Sequence, residues 1–192
     1  MMLSSRLYML LLALSTAACS SGESNKDPLF SAKFQNEKRV GEEAITKRQL
    51  QDAEFLVETA SRKMELLEIS QIAQRKASSP NVRSVAQNTV AQLTPHLREW
   101  QTLAQQKNRV LPSGLGEDQA KQVGELTARN GAAFDQQYAQ LLSSVTAAEV
   151  DANDDMTDDA YDGDIRAMAA RQLPILKELH TAGETLEDQL KP

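Results

Sequence analysis

The sequence predicts an all-α protein folded as an antiparallel four-helix bundle. Apolar residues recur three and four positions apart along four long stretches. Almost nothing alternates polar with apolar as a half-buried strand would. Turn signals fall between the stretches: "SSPN" at 78–81, "NRVLPSGLG" at 108–116, and an aspartate-rich run from 151.

The first helix is expected over about residues 49–78, with Ala53, Leu56, Val57, Ala60, Met64, Leu67, Ile69, Ile72 and Ala73 on its apolar face. Ser79 suits an N-cap, and Pro80 suits the first helical position, where its missing N–H costs nothing. The second helix is expected from Pro80 to about Lys107. Val82, Ala86, Val90, Leu93, Leu97, Trp100 and Ala104 form a bundle seam, with Trp100 in the core. A third helical region starts at Asp118, is interrupted at Asn130-Gly131, and resumes with Phe134, Tyr138, Leu141, Leu142, Val145 and Ala148. Gly131 suits a left-handed helix terminator. The last helix begins near Gly163 and carries Ile165, Met168, Ala169, Leu173, Leu176, Leu179, Gly183, Leu186 and Leu190. Pro95 and Pro174 lie inside helices, so a kink is expected at each. A helix of about 25 residues is about 37 Å long.

The N-terminus addresses the protein. Arg6 precedes the apolar run "LYMLLLAL" of residues 7–14. A spanning helix needs about 20 apolar residues, so this run fits a secretory signal peptide. Thr16, Ala17 and Ala18 lead into Cys19, the single cysteine of the chain. "TAAC" resembles a bacterial lipobox, in which the cysteine receives a diacylglyceryl group and becomes the mature N-terminus; Thr16 departs from the commoner Leu. By the same resemblance Ser20, rather than Asp, points to the outer membrane. The competing reading is a secreted protein with an unpaired Cys19. Three segments follow: a lipoprotein signal peptide at 1–18, a flexible polar tether at 19–48 with a short helix around 42–48, and the bundle at 49–190.

Composition removes several functions. Removing residues 1–18 from the 192 leaves 174, enough for one domain with a real core. The mature chain has 20 basic residues (21 less Arg6) against 27 acidic ones, which does not suit nucleic acid. With one cysteine no intrachain disulfide forms, so packing must hold the fold. No His-Glu-x-x-His, Gly-x-Ser-x-Gly, phosphate-binding glycine loop or dinucleotide fingerprint occurs. A di-iron bundle needs Glu-x-x-His units; His96 and His180 are preceded at that spacing by Leu93 and Lys177.

Two metal readings stand beside bland ones. Asp151, Asn153, Asp155, Thr157, Asp159 and Asp162 fall on positions 1, 3, 5, 7, 9 and 12 of a calcium-loop template. Met156 occupies the position where the template needs Gly, and Asp162 is shorter than the usual Glu. The alternative is a solvated link between helices. Glu68 with His96 forms a second candidate, for a mononuclear metal or other ligand; the alternative there is a half-exposed histidine near a proline kink.

Several segments carry a family resemblance: "DAEFLVETASRKMELLEISQIAQRKA" (52–77), "RVLPSGL" (109–115), "GAAFDQQY" (131–138) and "LPILKELHTA" (173–182). Together they resemble the bacterial envelope family known as domain of unknown function 4142, over about residues 49–190. The resemblance implies a ferritin-like four-helix fold and an exported or lipid-anchored protein, and implies no particular reaction. Glu68 and Asp135 match the family's acidic positions. Pro95, Trp100 and Thr146 stand where relatives often carry Asp, Asn and His, and His180 is displaced one residue from a common His at the position of Leu179. A polar site built from those histidines in relatives is depleted here.

The expected function is therefore a non-catalytic cell-envelope lipoprotein on the periplasmic face of the outer membrane. It has a structural, binding or stress-related role and no cofactor. Its partners are the membrane, through Cys19, and an envelope protein. The alternative is a metal-binding bundle, through weak calcium or a mononuclear transition metal. A partner-docking lipoprotein would expose an apolar stripe on the packed bundle.

Overall fold

The computed structural model describes residues 27–42 and 47–191. The expected signal peptide and the expected lipidation site at Cys19 lie outside the described residues. All regular structure among these residues is helical: α1 (Pro28–Glu42), α2 (Lys47–Lys76), α3 (Pro80–Gln106), α4 (Glu117–Ala128), α5 (Gly131–Asp159) and α6 (Gly163–Gln189). None of these helices is long and apolar enough to cross a membrane.

Side-chain pairs fix the helix directions. Between α2 and α5, Lys63 meets Glu149, Ser70 meets Tyr138 and Ser78 meets Asp135, so one sequence rises as the other falls. Between α3 and α6, Asn81 meets Gln189, Trp100 meets Gln172 and Lys107 meets Asp164, again antiparallel. With the hairpins α2–α3 and α5–α6, every neighbouring pair is antiparallel and α3 runs parallel to its diagonal partner α5. The chain must therefore return along the bundle between α3 and α5, and α4 lies on that return, packed against α2 and α5. One long crossover is the connectivity of ferritin-like bundles. The third helical region expected from Asp118 is thus two elements, and only α5 belongs to the bundle.

The helix ends follow local chemistry. Asn108, at φ 52°, ends α3. Its N–H donates to Gln105 O and that of Arg109 to Ala104 O, a Schellman motif in which Asn takes the left-handed position instead of Gly. Gly131 has the expected positive φ, 56°, but as the first residue of α5. Helices α3 and α6 continue through Pro95 and Pro174. Both rings are exposed, so the carbonyl each leaves unbonded lies on the solvent side.

Residues 28–42 depart from the expected tether. Ala32, Asn36 and Val40 are buried one turn apart, and α1 packs on α2. Asn36 Nδ2 donates to Val110 O, and Val110 N–H donates to Asn36 Oδ1, both at 2.7 Å. A buried asparagine that grips backbone does not register as an apolar period, which is why the segment reads as polar. Asp27 accepts from Leu29 N–H and Glu117 N–H, joining the starts of α1 and α4. The bond from Glu117 is the main cause holding its carboxyl below the usual range.

The core has two parts. One includes Leu66, Ile69, Leu93, Phe134, Tyr138, Leu142, Leu176 and Leu186. The other includes Phe55, Leu56, Trp100, Leu103, Ile165 and Met168. A polar layer lies between them in sequence on all four bundle helices.

Candidate functional site

Helix α2 contributes Thr59, Arg62 and Lys63 to this layer, α3 contributes His96, α5 contributes Glu149 and Asn153, and α6 contributes Gln172. Thr59, Lys63, Glu149, Asn153 and Gln172 are fully buried. Lys63 Nζ lies 2.7 Å from Glu149 Oε2, and Arg62 Nε lies 2.6 Å from Glu149 Oε1. Arg62 also reaches Glu58, whose other oxygen lies 2.6 Å from Lys33 on α1. Charges of alternating sign thus run from α1 into the core. Burial would raise the Glu58 carboxyl, but Lys33 and Arg62 outweigh it and hold the group below its ordinary value.

The pair sits beside Trp100. Lys63 Nζ lies 5.8 Å from the indole centroid, within cation–π range. Trp100 Nε1 donates to Gln172 Oε1 at 2.8 Å, and Phe55 meets the indole edge-on at 5.4 Å. Thr59 Oγ1, Arg62 Nη2, His96 Nδ1 and Asn153 Oδ1 are buried with no hydrogen-bond partner within the protein. Burial above all, then the Lys63 charge, lowers the His96 imidazole from its usual value, while Glu99 opposes this. The surroundings therefore favour its neutral form.

This layer is where bundle proteins place metal ligands from facing helices. Here the protein's own ammonium takes an oxygen of Glu149 that would otherwise face a cation. Among the described residues no group of three or more His, Cys, Asp and Glu side chains is placed to hold a metal.

The structure separates the sequence-predicted sites. Glu68 is exposed, in a groove of about 390 Å³ with Met64, Ile72, Arg75 and Leu115. His96 is instead half-buried among the charges of Lys63, Glu99 and Arg171, so the expected Glu68–His96 pairing is not formed.

The acidic segment is corrected more sharply. It is no loop, because α5 continues to Asp159. Asp151, Asp155 and Asp159 form an exposed stripe, while Asn153 turns inward and donates to Glu149 O at 2.7 Å. Thr157 donates to Asp154 O, and Asp162 caps α6 by accepting from Asp164 and Ile165 N–H. A calcium loop folds its ligands inward around a glycine turn. Here Met156 holds that position, and with Ala152 one turn earlier it packs on the core around Trp100, which keeps the segment helical. His180 lies 3.1 Å from Ser143 O and 3.5 Å from Thr146 Oγ1, away from His96 on the α5–α6 side.

Sequence reasoning missed Lys63 and Glu149. The available signal was a lysine at a core-facing spacing between Ala60 and Leu67.

A family model described as "Domain of unknown function (DUF4142)" matches residues 37–186. The chain belongs to the DUF4142 family. No curated protein matches the sequence. Among solved structures, this DUF4142 protein is similar to "CopM in the Cu(II)-bound form" with a TM-score of 0.62 and 13% identity, over 73% of this chain and 97% of that one. At that identity the likeness is one of fold.

Proposed function

We propose that this DUF4142 protein is a non-catalytic, lipid-anchored envelope protein whose bundle serves as a structural or binding module. Cys19 carries the acyl anchor, and the outer membrane facing the periplasm is its location. The observation that supports this reading most is the buried Lys63–Glu149 pair: the bundle centre is filled by the protein's own ions. A group reacting with substrate needs open access and a partner to shift its protonation, and both members of this pair are fully buried.

The metal-binding reading has in its favour the fold shared with copper-bound CopM and the unpartnered Nδ1 of His96. The residues around that nitrogen fit a cation poorly, because Lys63 and Arg171 bring positive charge toward it. The test is thermal melting of the mature protein with and without copper, zinc, iron and calcium, together with elemental analysis and a panel of hydrolase and redox substrates. The expected result is no stoichiometric metal and no turnover. A copper-induced rise in melting temperature that disappears in His96→Ala would replace this reading with a copper-binding one. Mass analysis of the N-terminal peptide is expected to show acylated Cys19.

A further inference from the structure

We infer that the outward face of α1, centred on Phe30 and Phe34, rests in the headgroup–acyl boundary of the membrane that anchors the chain. This rests on the anchor proposed above. The exposed large hydrophobic residues among those described are Phe30, Phe34 and Tyr161. Phe30 is 61% and Phe34 48% exposed, one turn apart on the same helix. Their rings stack at 6.3 Å with an interplanar angle of 10°, forming one apolar surface. Lys38 Nζ lies 4.9 Å from the Phe34 centroid, placing a cation at the edge of that surface.

Aromatic rings flanked by basic side chains suit the membrane interface, where the rings enter the acyl boundary and the cations meet phosphate. The protein as a whole has a net charge of −6, so most of its surface repels anionic lipid. Helix α1 carries Lys33, Lys38 and Arg39 against Glu37 and Glu42, and Lys38 is the cation placed beside the phenylalanine pair. Its inward residues, Ala32, Asn36 and Val40, are already taken by the bundle, which fixes Phe30 and Phe34 facing away from it.

Chain length selects lipid as the occupant. Nine residue steps separate Cys19 from Pro28. At about 3.3–3.6 Å per step they span at most about 32 Å. Among the described elements, helix α1 is therefore the one held nearest the acyl chains. The acyl chains hold the protein to the bilayer, and the phenylalanine pair sets which side of the bundle faces it.

The test places a reporter on that face. The Phe34→Trp protein, expressed as the full precursor and purified as the mature chain, is reconstituted into phosphatidylethanolamine–phosphatidylglycerol vesicles with brominated acyl chains. Ala170→Trp, an exposed position on α6, diagonal to α2, is the control. Trp100 is fully buried and gives both proteins the same background. The expected result is quenching at least twofold greater for Phe34→Trp than for Ala170→Trp. Equal quenching overturns the inference and assigns the face to some other occupant. Mass analysis at Cys19 reads the anchor separately. An acylated chain with equal quenching loses the face and keeps the anchor. An unacylated chain with selective quenching keeps the face and loses the anchor.

Discussion

At the α2–α3 turn, Arg83 Nη1 donates to Ala77 O and Ser78 O, and Asp135 of the other hairpin accepts from Ser78 and Ser79 N–H. At the α5–α6 turn, Arg166 Nη1 donates to Ala160 O and Tyr161 O, and Asp52 of the first hairpin accepts from Tyr161 and Asp162 N–H. Asp52 and Asp135, Ala77 and Ala160, and Arg83 and Arg166 are each separated by 83 residues. The bundle is thus two hairpins related by an approximate twofold, each reaching across to close the other's turn. The interiors differ. Trp100 of α3 corresponds to Gly183 of α6, and Lys63 of α2 to Thr146 of α5, at the same offset. The first hairpin is held apart by an indole and admits a charged side chain. In the second, a Cβ at Gly183 would lie 2.8 Å from Ser143 N, so α5 and α6 pack backbone to backbone. One turn design thus supports both a polar interior and a closed one.

The largest effect is expected where Lys63 of the open half meets Glu149 of α5. Glu149→Ala leaves the Lys63 ammonium buried without its carboxylate and should cost about 3–5 kcal/mol in denaturant unfolding. Replacing both partners, Lys63→Met with Glu149→Leu, should recover most of that loss. A double variant as unstable as the single one would mean that the layer needs its charges.

The turns come next. Asp135 accepts from two backbone N–H groups and the Ser78 hydroxyl, Asp52 from two N–H groups. Asp135→Ala should cost about 3 kcal/mol and Asp52→Ala about 2 kcal/mol, from the donors left unsatisfied. Burial raises the Asp52 carboxyl despite those bonds, so ionisation is less favoured there than in water. Urea melts that reverse this order would break the equivalence of the corners. In the tight half, Gly183→Ala should cost about 1–3 kcal/mol by overpacking. An unchanged melting temperature would show that α5 and α6 can separate freely.

Two smaller effects depend on pH. Burial pushes Asp162 upward, but Lys107 and the N–H groups of Asp164 and Ile165 hold it below its ordinary value. Its contribution is complete above the unfolded carboxylate value of about 4 and is lost as pH falls through the lower folded value. Asp162→Ser keeps a cap and removes the charge. Its deficit should be about 1 kcal/mol from pH 7 to 5 and shrink below pH 4. His96 is lowered in the fold, so protonation favours the unfolded chain. Wild-type stability should fall as pH drops below about 6.5 toward the folded value. His96→Gln should remove that slope, and an identical slope in both proteins would place its origin elsewhere.

The bundle helices were legible because Val82, Ala86, Leu93 and Trp100 keep a strict period, and the structure buries each of them. The acidic segment misled because the oxygen-bearing side chains of Asp151, Asn153, Asp155 and Asp159 look like ligands only if the chain turns. The sequence held the contrary signal in Met156, whose burial against the Trp100 core outweighs the repulsion among exposed carboxylates. The Lys63–Glu149 pair was not legible, since the two residues lie 86 positions apart and neither type is ordinarily buried. The internal twofold was hidden for a related reason. Turn residues keep it, while core positions such as Trp100 and Gly183 have diverged to opposite extremes of size.

The seating of α1 decides where tension on the N-terminal segment would be felt. Such a pull enters at Asp27, bonded to Glu117, and passes along Lys33 to Glu58 and Asn36 to Val110. These contacts load in sequence, before any contact between the four bundle helices. Under such a pull helix α1 is expected to peel before the core beneath it unfolds.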